Sequence, residues 1–176
     1  MVDFMTTPLT SERGTTLVET MIALTVLLIA MSGLMTLAGM SSRTTENNGH
    51  LAARTTEDAQ DKMEQLLALR YGDATSDTTN AVAFPGAPAG GTGLAVGGSV
   101  NTAAPVNGYV DWLAADGTLL GGGTAPPANW FYERAWQVTQ FSANVKLISV
   151  TVTTKWAFGK ANLPQSTVTA LKGNGF

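Results

Sequence analysis

The stretch "RGTTLVETMIALTVLLIAMSGLMTLAGMSS", residues 13–42, places a glutamate immediately before a long apolar run. The uncharged residues extend from Thr20 to Ser42, which makes 23, and they lie between Glu19 and Arg43. About 20 mostly apolar residues in a helix cross the hydrocarbon core of a bilayer. The run is therefore long enough to span a membrane. A carboxylate at its edge needs an explanation, because ionised groups are costly near hydrocarbon.

Two ordinary kinds of N-terminal segment contain such a run. A cleaved secretory signal has a basic first region, a shorter apolar core and small residues at its cleavage site. Here the only base before the run is Arg13, against Asp3 and Glu12, and Thr36-Leu37-Ala38 fits a cleavage site poorly. A single-span membrane anchor needs only the length of the run, which this sequence satisfies.

A third explanation comes from the residues that precede the run. The letters RGTTLVE, residues 13–19, followed by the uncharged segment, resemble the class III signal of type IV pilins and type II secretion pseudopilins. This resemblance implies that prepilin peptidase cuts between Gly14 and Thr15, removes residues 1–14 as a leader and N-methylates Thr15. It also implies that Glu19, then the fifth residue of the mature chain, pairs with the N-terminal amine of a neighbouring subunit during assembly.

Glu19 also has a possible role within its own chain. Thr16-x-x-Glu19 has the spacing of a capping box, in which the Thr hydroxyl and the Glu carboxylate cover free amides at a helix start. An acidic residue in the first turn also suits the helix dipole. The two roles are compatible, because capping acts within one chain and pairing acts between chains.

Residues 43–71 are charged, but they keep an apolar stripe. Residues that recur at intervals of three and four predict the buried face of an amphipathic helix: Ala52, Thr56, Ala59, Met63 and Leu66. The pairs Arg54–Asp58 and Asp58–Lys62 have i, i+4 spacing and are expected on the exposed side. With residues 15–42 as the transmembrane half, one stem helix is predicted from Thr15 to Arg70.

The region 72–128 is rich in glycine and proline, which predicts a long loop with short strands at most. Its segment 86–104 is expected at the surface. The GGTG and GGG runs lack the Gly-Lys-Ser/Thr that a phosphate-binding loop requires. Four acids could contribute to a calcium site, but without EF-hand spacing they are better explained as solubilising loop residues: Asp73, Asp77, Asp111 and Asp116.

Residues 129–176 are predicted to form the antiparallel sheet of a globular head. The segments "NWFYERAWQVTQF" and "VKLISVTVTTKWAF" are rich in β-branched and aromatic residues, and "STVTALKG" supplies a third strand. In the first segment Tyr132, Trp136 and Val138 alternate, although Arg134 interrupts them. The core face of the second segment is assigned to Ile148, Val150, Val152, Thr154 and Trp156.

Together these segments predict an α+β fold. The resemblance makes it a type IV pilin-like fold, with a long N-terminal transmembrane and stem helix packed on a C-terminal antiparallel β-sheet. The order of the stem helix, a W-x-V strand and a V-T-V-x-x-x-W strand is similar to that of PilV-type minor pilins and I-type minor pseudopilins.

The composition argues against several functional classes. The 176 residues carry a net charge of −3 and no basic cluster, so nothing points to nucleic acid. The chain has no cysteine and a single histidine, His50, which leaves no plausible catalytic triad or zinc site. We therefore expect no enzyme activity, no catalytic residue, no metal and no cofactor.

The expected function is that of a structural, minor subunit of a type IV pilus or a type II secretion pseudopilus. The resemblance implies four partners: other pilin or pseudopilin subunits, prepilin peptidase, the inner-membrane assembly platform and the lipid bilayer. It implies a single-pass protein of the bacterial inner membrane, with its head in the periplasm, that later enters the fibre. The alternative is a single-span, membrane-anchored periplasmic binding or sensory domain, and the two differ in the fate of residues 1–14.

Overall fold

The computed structural model describes residues 16–80, 88–158 and 162–175. Gly14 and Thr15, where processing is predicted, lie outside the described residues. The chain forms two compact units, Met1–Arg43 and Thr44–Phe176.

One helix, α1, runs from Leu17 to Ala68 and contains 52 residues. Its ends agree with the predicted stem helix to within two residues, which is the usual uncertainty of a helix boundary. Gly49 lies inside α1 without ending it, because the following residues are held by packing on the sheet and the cost of one glycine is only about 1 kcal/mol. After Ala68 the Leu69 amide donates to the Leu66 carbonyl at 3.3 Å, which closes the last turn.

Six strands within the described residues form one antiparallel sheet. They are β1 (Gly97–Gly98), β2 (Val110–Leu113), β3 (Leu119–Gly122), β4 (Tyr132–Ser142), β5 (Val145–Thr154) and β6 (Gln165–Gly173). The spatial order is β3-β2-β4-β5-β6, and β1 also pairs with β4. A long N-terminal helix that contacts such a sheet is an α+β arrangement like that of a pilin, which confirms the predicted fold class.

The second half of α1 packs on the sheet through one stripe. Ala59, Met63 and Leu66 are buried, at the spacing that places residues on one helix face. They share a core with six residues of β4 and β5: Tyr132, Trp136, Val138, Ile148, Val150 and Val152. The predicted stripe is thus confirmed from Ala59 to Leu66, whereas Ala52 is exposed.

The assignment of Trp156 to the core face is wrong. The last residue of β5 is Thr154, and the Trp156 side chain is 46% exposed. The chain leaves the sheet at that point, where the Thr154 amide donates to the Pro164 carbonyl at 3.2 Å.

The expectation that 86–104 is a surface loop is also wrong for part of that segment. Leu94 is completely buried, and Gly97 and Gly98 form β1 against β4. Gly98 has a φ of 80°, and a Cβ there would collide with the Trp136 carbonyl oxygen. The glycine is therefore required by a close backbone approach and does not mark a loose loop.

A buried cluster of charged side chains joins α1 to the sheet. Lys62 on α1 and Asp111 on β2 are both 0% exposed, and Lys62 Nζ lies 2.7 Å from Asp111 Oδ2. Arg134 on β4 donates to the two oxygens of the same carboxylate, at 2.6 Å from Nε and 2.9 Å from Nη2. Its Nη1 donates to Asp61 at 3.0 Å, and Lys62 also donates to the Thr78 carbonyl at 2.5 Å. We refer to Lys62, Asp111 and Arg134 as the buried charge cluster.

The buried charge cluster corrects two predictions. Lys62 does not pair with Asp58 on the exposed side of the helix, because it faces the sheet and pairs with Asp111. Asp111 is not a loop acid, because it belongs to β2 and is directly opposite Arg134 in the register. The other predicted pair is present, with Arg54 Nε 4.0 Å from Asp58 Oδ1, but Asp58 is buried and does not lie on the exposed side.

The cluster keeps its members charged at neutral pH. Burial lowers the pKa of Lys62 to about 8, although the neighbouring Asp111 opposes that change. Burial alone would raise the pKa of Asp111, but Lys62 and Arg134 hold it below its ordinary value. Each buried charge therefore depends on its partners.

We predict that Asp111→Asn destabilises the folded chain by about 3–5 kcal/mol, because it leaves two buried cations without their carboxylate. The matched control is Glu57→Gln, which removes a carboxylate 3.0 Å from Arg54 on the exposed side of α1 and should cost no more than about 1 kcal/mol. Thermal unfolding of the full chain in detergent, followed by near-ultraviolet circular dichroism, measures both. Equal, small losses of stability in the two variants would show that the buried charge cluster does not hold α1 on the sheet.

Candidate functional site

The start of α1 contains one half of the predicted capping box, the half supplied by the Thr16 hydroxyl. The Glu19 amide donates to the Thr16 hydroxyl oxygen at 3.3 Å, and the Thr20 amide donates to the Thr16 carbonyl at 3.1 Å. Thr16 therefore acts as the N-cap residue. The Glu19 side chain is exposed, and its carboxylate makes no hydrogen bond or ion pair with any of residues 16–80, 88–158 or 162–175.

The part of α1 that follows is apolar on all sides. Its large apolar side chains, from Leu17 to Met40, are each 47–75% exposed. A window of 18 residues has a mean hydropathy of 2.3, and none of it is buried. A helix that is apolar all round is normally covered by lipid or by other helices. By length and composition α1 is able to cross a membrane, which is consistent with a single-pass anchor.

The hydroxyl groups within this apolar segment are satisfied inside the helix. Thr20 donates to the Leu17 carbonyl at 2.8 Å, and Ser32 donates to the Ile29 carbonyl at 2.8 Å. Thr25 and Thr36 donate in the same way to the carbonyls of the residues four positions earlier in the helix. Hydrocarbon offers no hydrogen-bond partner, so a helix in lipid must satisfy its polar groups internally. The Thr and Ser residues are therefore compatible with a membrane environment.

The remaining loop acids have local partners. Asp73 accepts hydrogen bonds from the Thr75 and Ser76 amides, both at 3.0 Å. Asp77 accepts from the Thr79 amide, and Asp116 accepts from the Thr118 amide. These contacts stabilise turns. Within the described ranges no three His, Asp or Glu side chains are grouped so that they could hold a metal ion.

His50, the single histidine, lies on α1 with its side chain 78% exposed. Its Nε2 is 4.0 Å from Glu46 Oε1, at i, i+4 spacing. The position is that of a solvated helix residue.

Glu133 is a buried carboxylate that sequence reasoning missed. It lies on β4, is 5% exposed, and its Oε1 has no hydrogen-bond partner in the described part of the chain. Its neighbours in register are Trp112 on β2 and Thr153 on β5, and Trp130 stacks edge-on against Trp112 at 4.9 Å. Burial raises the pKa of Glu133 to about 7. The sequence contains no signal for this, because Glu133 occupies the position of a solvent-facing residue in the alternation of its strand.

Comparison of the chain with protein-family models, with curated proteins and with solved structures found no match.

We predict that Glu133→Gln alters the pH dependence of stability. The pKa of Glu133 is about 7 in the folded chain against an ordinary 4.5, so its stabilising contribution is fully present below pH 4.5 and is lost as pH rises through 7. Because Gln does not ionise, the variant should gain up to about 3 kcal/mol relative to wild type above pH 7. Chemical denaturation of the detergent-solubilised chain across this pH range measures the difference. Glu64→Gln, at an exposed position on α1, is the control and should keep the wild-type slope; the same slope in Glu133→Gln would contradict the prediction.

Proposed function

We propose that this chain is a structural, minor subunit of a type IV pilus or a type II secretion pseudopilus. In this proposal prepilin peptidase removes residues 1–14, and before assembly the chain is anchored in the bacterial inner membrane with its head in the periplasm. The assembly platform then transfers it into the fibre. Its apolar segment there packs against the same segments of other pilin or pseudopilin subunits.

The observation that carries the proposal is the position of the RGTTLVE motif. It directly precedes a helix segment that is apolar and exposed on all sides, and the same helix continues into a sheet-packed second half. An anchor alone needs the apolar length but neither a glycine before Thr15 nor a glutamate at a fixed distance from it. The motif therefore favours a pilin-type subunit over a membrane-anchored binding or sensory domain.

Glu19 supports the proposal because its carboxylate has no partner among the residues that the structure describes, which begin at Thr16. A carboxylate next to hydrocarbon is tolerated when it pairs with a cation. Arg13, the nearest base in the sequence, belongs to the leader that the proposed cleavage removes. Cleavage after Gly14 creates a new cation, the amine of Thr15, at the same depth in each subunit. A neighbouring subunit shifted along the fibre axis can then bring its amine to Glu19.

Processing tests the proposal directly. The mature chain should begin with N-methyl-Thr15, which mass spectrometry of the N-terminal peptide from membrane-extracted protein detects. Gly14→Val should block the cut, whereas the matched change Thr10→Val, in the leader but outside the motif, should not. A mature wild-type chain that retains Met1–Gly14 would leave only the membrane-anchored binding or sensory domain.

Glu19→Gln separates assembly from insertion. Since Thr16 still caps the helix and the 23 uncharged residues are unchanged, we expect normal insertion and normal cleavage. Incorporation into fibres should fall strongly, because removing one member of a buried ion pair costs about 3–5 kcal/mol. Quantitative blots of membrane and sheared-fibre fractions measure both steps. Glu46→Gln, which removes the same charge from an exposed position outside the apolar run, is the control; equal incorporation of both variants would leave Glu19 with no role in assembly beyond an acidic residue that suits the helix dipole.

A further inference from the structure

One end of the sheet carries a cluster of exposed and half-buried apolar side chains. Trp156 and Leu163 are 46% and 49% exposed, and Phe131 and Phe158 are half-buried. The rings form a chain, with centroids 5.6 Å apart for Phe131–Trp156 and 4.9 Å for Trp156–Phe158. Leu163 precedes Pro164, whose carbonyl accepts the Thr154 amide at the end of β5. We refer to Phe131, Trp156, Phe158 and Leu163 as the aromatic end.

The aromatic end is tied to α1 at Asn48. The Asn48 side chain donates from Nδ2 to the Phe158 carbonyl at 3.1 Å and accepts the Phe158 amide on Oδ1 at 3.0 Å. The Asn48 side chain thus pairs with both the N–H and the C=O of Phe158, as the backbone of a neighbouring strand would. At the other end of the sheet, Lys146 donates to the Tyr71 carbonyl at 2.8 Å. The sheet therefore lies along the second half of α1, with the aromatic end at Asn48 and the β4–β5 turn near Tyr71.

Asn48 is close in sequence to the uncharged run. It is six positions after Ser42. Six helical residues rise about 9 Å, and even an extended chain of that length reaches no more than about 22 Å. The headgroup region extends about 5–7 Å beyond the hydrocarbon core on each side. When the run from Thr20 to Ser42 occupies the bilayer, the Phe158 backbone bound to Asn48 is held next to the headgroup region.

We propose that the aromatic end docks on the lipid headgroup region of the membrane in which α1 is inserted. This inference rests on the proposed membrane insertion of α1 and goes beyond it by assigning a second, peripheral contact to the head. Aromatic side chains favour the headgroup level, because their rings are apolar and the Trp N–H can remain hydrogen-bonded. Lys155, exposed and adjacent to Trp156, adds a cation that anionic headgroups attract. The contact orients the head on the bilayer surface before assembly.

The chain has no cysteine, so a single introduced cysteine carries a probe at one defined position. Full-length Leu163→Cys, labelled with an environment-sensitive fluorophore, is reconstituted into vesicles of phosphatidylethanolamine and phosphatidylglycerol that contain a headgroup spin-labelled lipid. The matched control is Phe141→Cys, an apolar residue that is 68% exposed. It lies at the opposite end of β4, about 30 Å away for a strand of this length. Co-flotation of the protein with the vesicles reports insertion of α1 separately.

We expect co-flotation of both proteins, quenching of the probe at position 163 and no quenching at position 141. Adding Trp156→Glu to Leu163→Cys should abolish the quenching, because it places a carboxylate at the docking surface. Near-ultraviolet circular dichroism checks that this variant stays folded, and Trp156 is exposed enough to make that the expected result. Quenching that survives Trp156→Glu would overturn the assignment to the aromatic end.

Three other results would also overturn the inference. Co-flotation without quenching at either position would show an inserted α1 whose head stays off the surface, and the proposed function would survive. Protection of position 163 from a water-soluble quencher, without lipid quenching and only in cross-linked oligomers, would show that a second copy of the chain covers the aromatic end. Absence of co-flotation would remove membrane insertion itself, and with it both proposals.

Discussion

The ion pair between Lys62 and Asp111 is the interaction on which the helix–sheet packing depends. Both side chains are fully buried, so each would carry a large desolvation penalty by itself. The same carboxylate also receives two hydrogen bonds from Arg134, so helix α1 and strands β2 and β4 must all be in place before the charges are compensated. Apolar contacts such as those of Leu66 and Val150 tolerate small shifts of one element along another. The buried charge cluster does not tolerate such shifts. Apolar burial drives the packing of α1 on the sheet, and the cluster fixes the position of α1 along it.

This constraint divides α1 into two parts with different partners. From Ala59 to Leu66 the helix buries a single stripe and presents charged residues on the other side, which is the pattern of a helix on a sheet. From Leu17 to Met40 it is apolar all round and nothing within the described residues covers it. Its satisfied hydroxyl groups fit lipid or neighbouring helices. The head can thus be complete as a folded unit while the apolar segment remains uncovered. In the proposed function that segment is covered first by the bilayer and later by other subunits of the fibre.

Much of this arrangement could be predicted from the sequence, because the signals are local. Periodicity identified α1 and its stripe, alternation identified β4 and β5, and the spacing from Thr16 to Glu19 identified the helix cap. Partners that are distant in the chain left no local signal: Asp111 is 49 residues from Lys62 and 23 from Arg134, so Arg134 looked like an interruption and Asp111 like a loop acid. The glycine content around Gly98 predicted a surface loop, since a close backbone approach and a flexible turn both favour glycine. Glu133 was missed because alternation assigns a face to a residue but does not say whether that face is covered.

Three carboxylates in this chain show the three ways in which such a group can be accommodated away from bulk water. Asp111 receives its cations from the same chain, and the fold is built around them. Glu133 has neither a cation nor a full set of donors in the described part of the chain, and burial raises its pKa to about 7, so that a proton stabilises it instead. Glu19 lies at the edge of the apolar segment, and the described residues provide no cation for its carboxylate. In the proposed function the positive charge comes from another subunit, because the proposed cleavage after Gly14 supplies one amine for every glutamate. A one-to-one stoichiometry of this kind suits a polymer of equivalent stems and has no evident use in a solitary anchor, so the proposed pairing favours a fibre subunit.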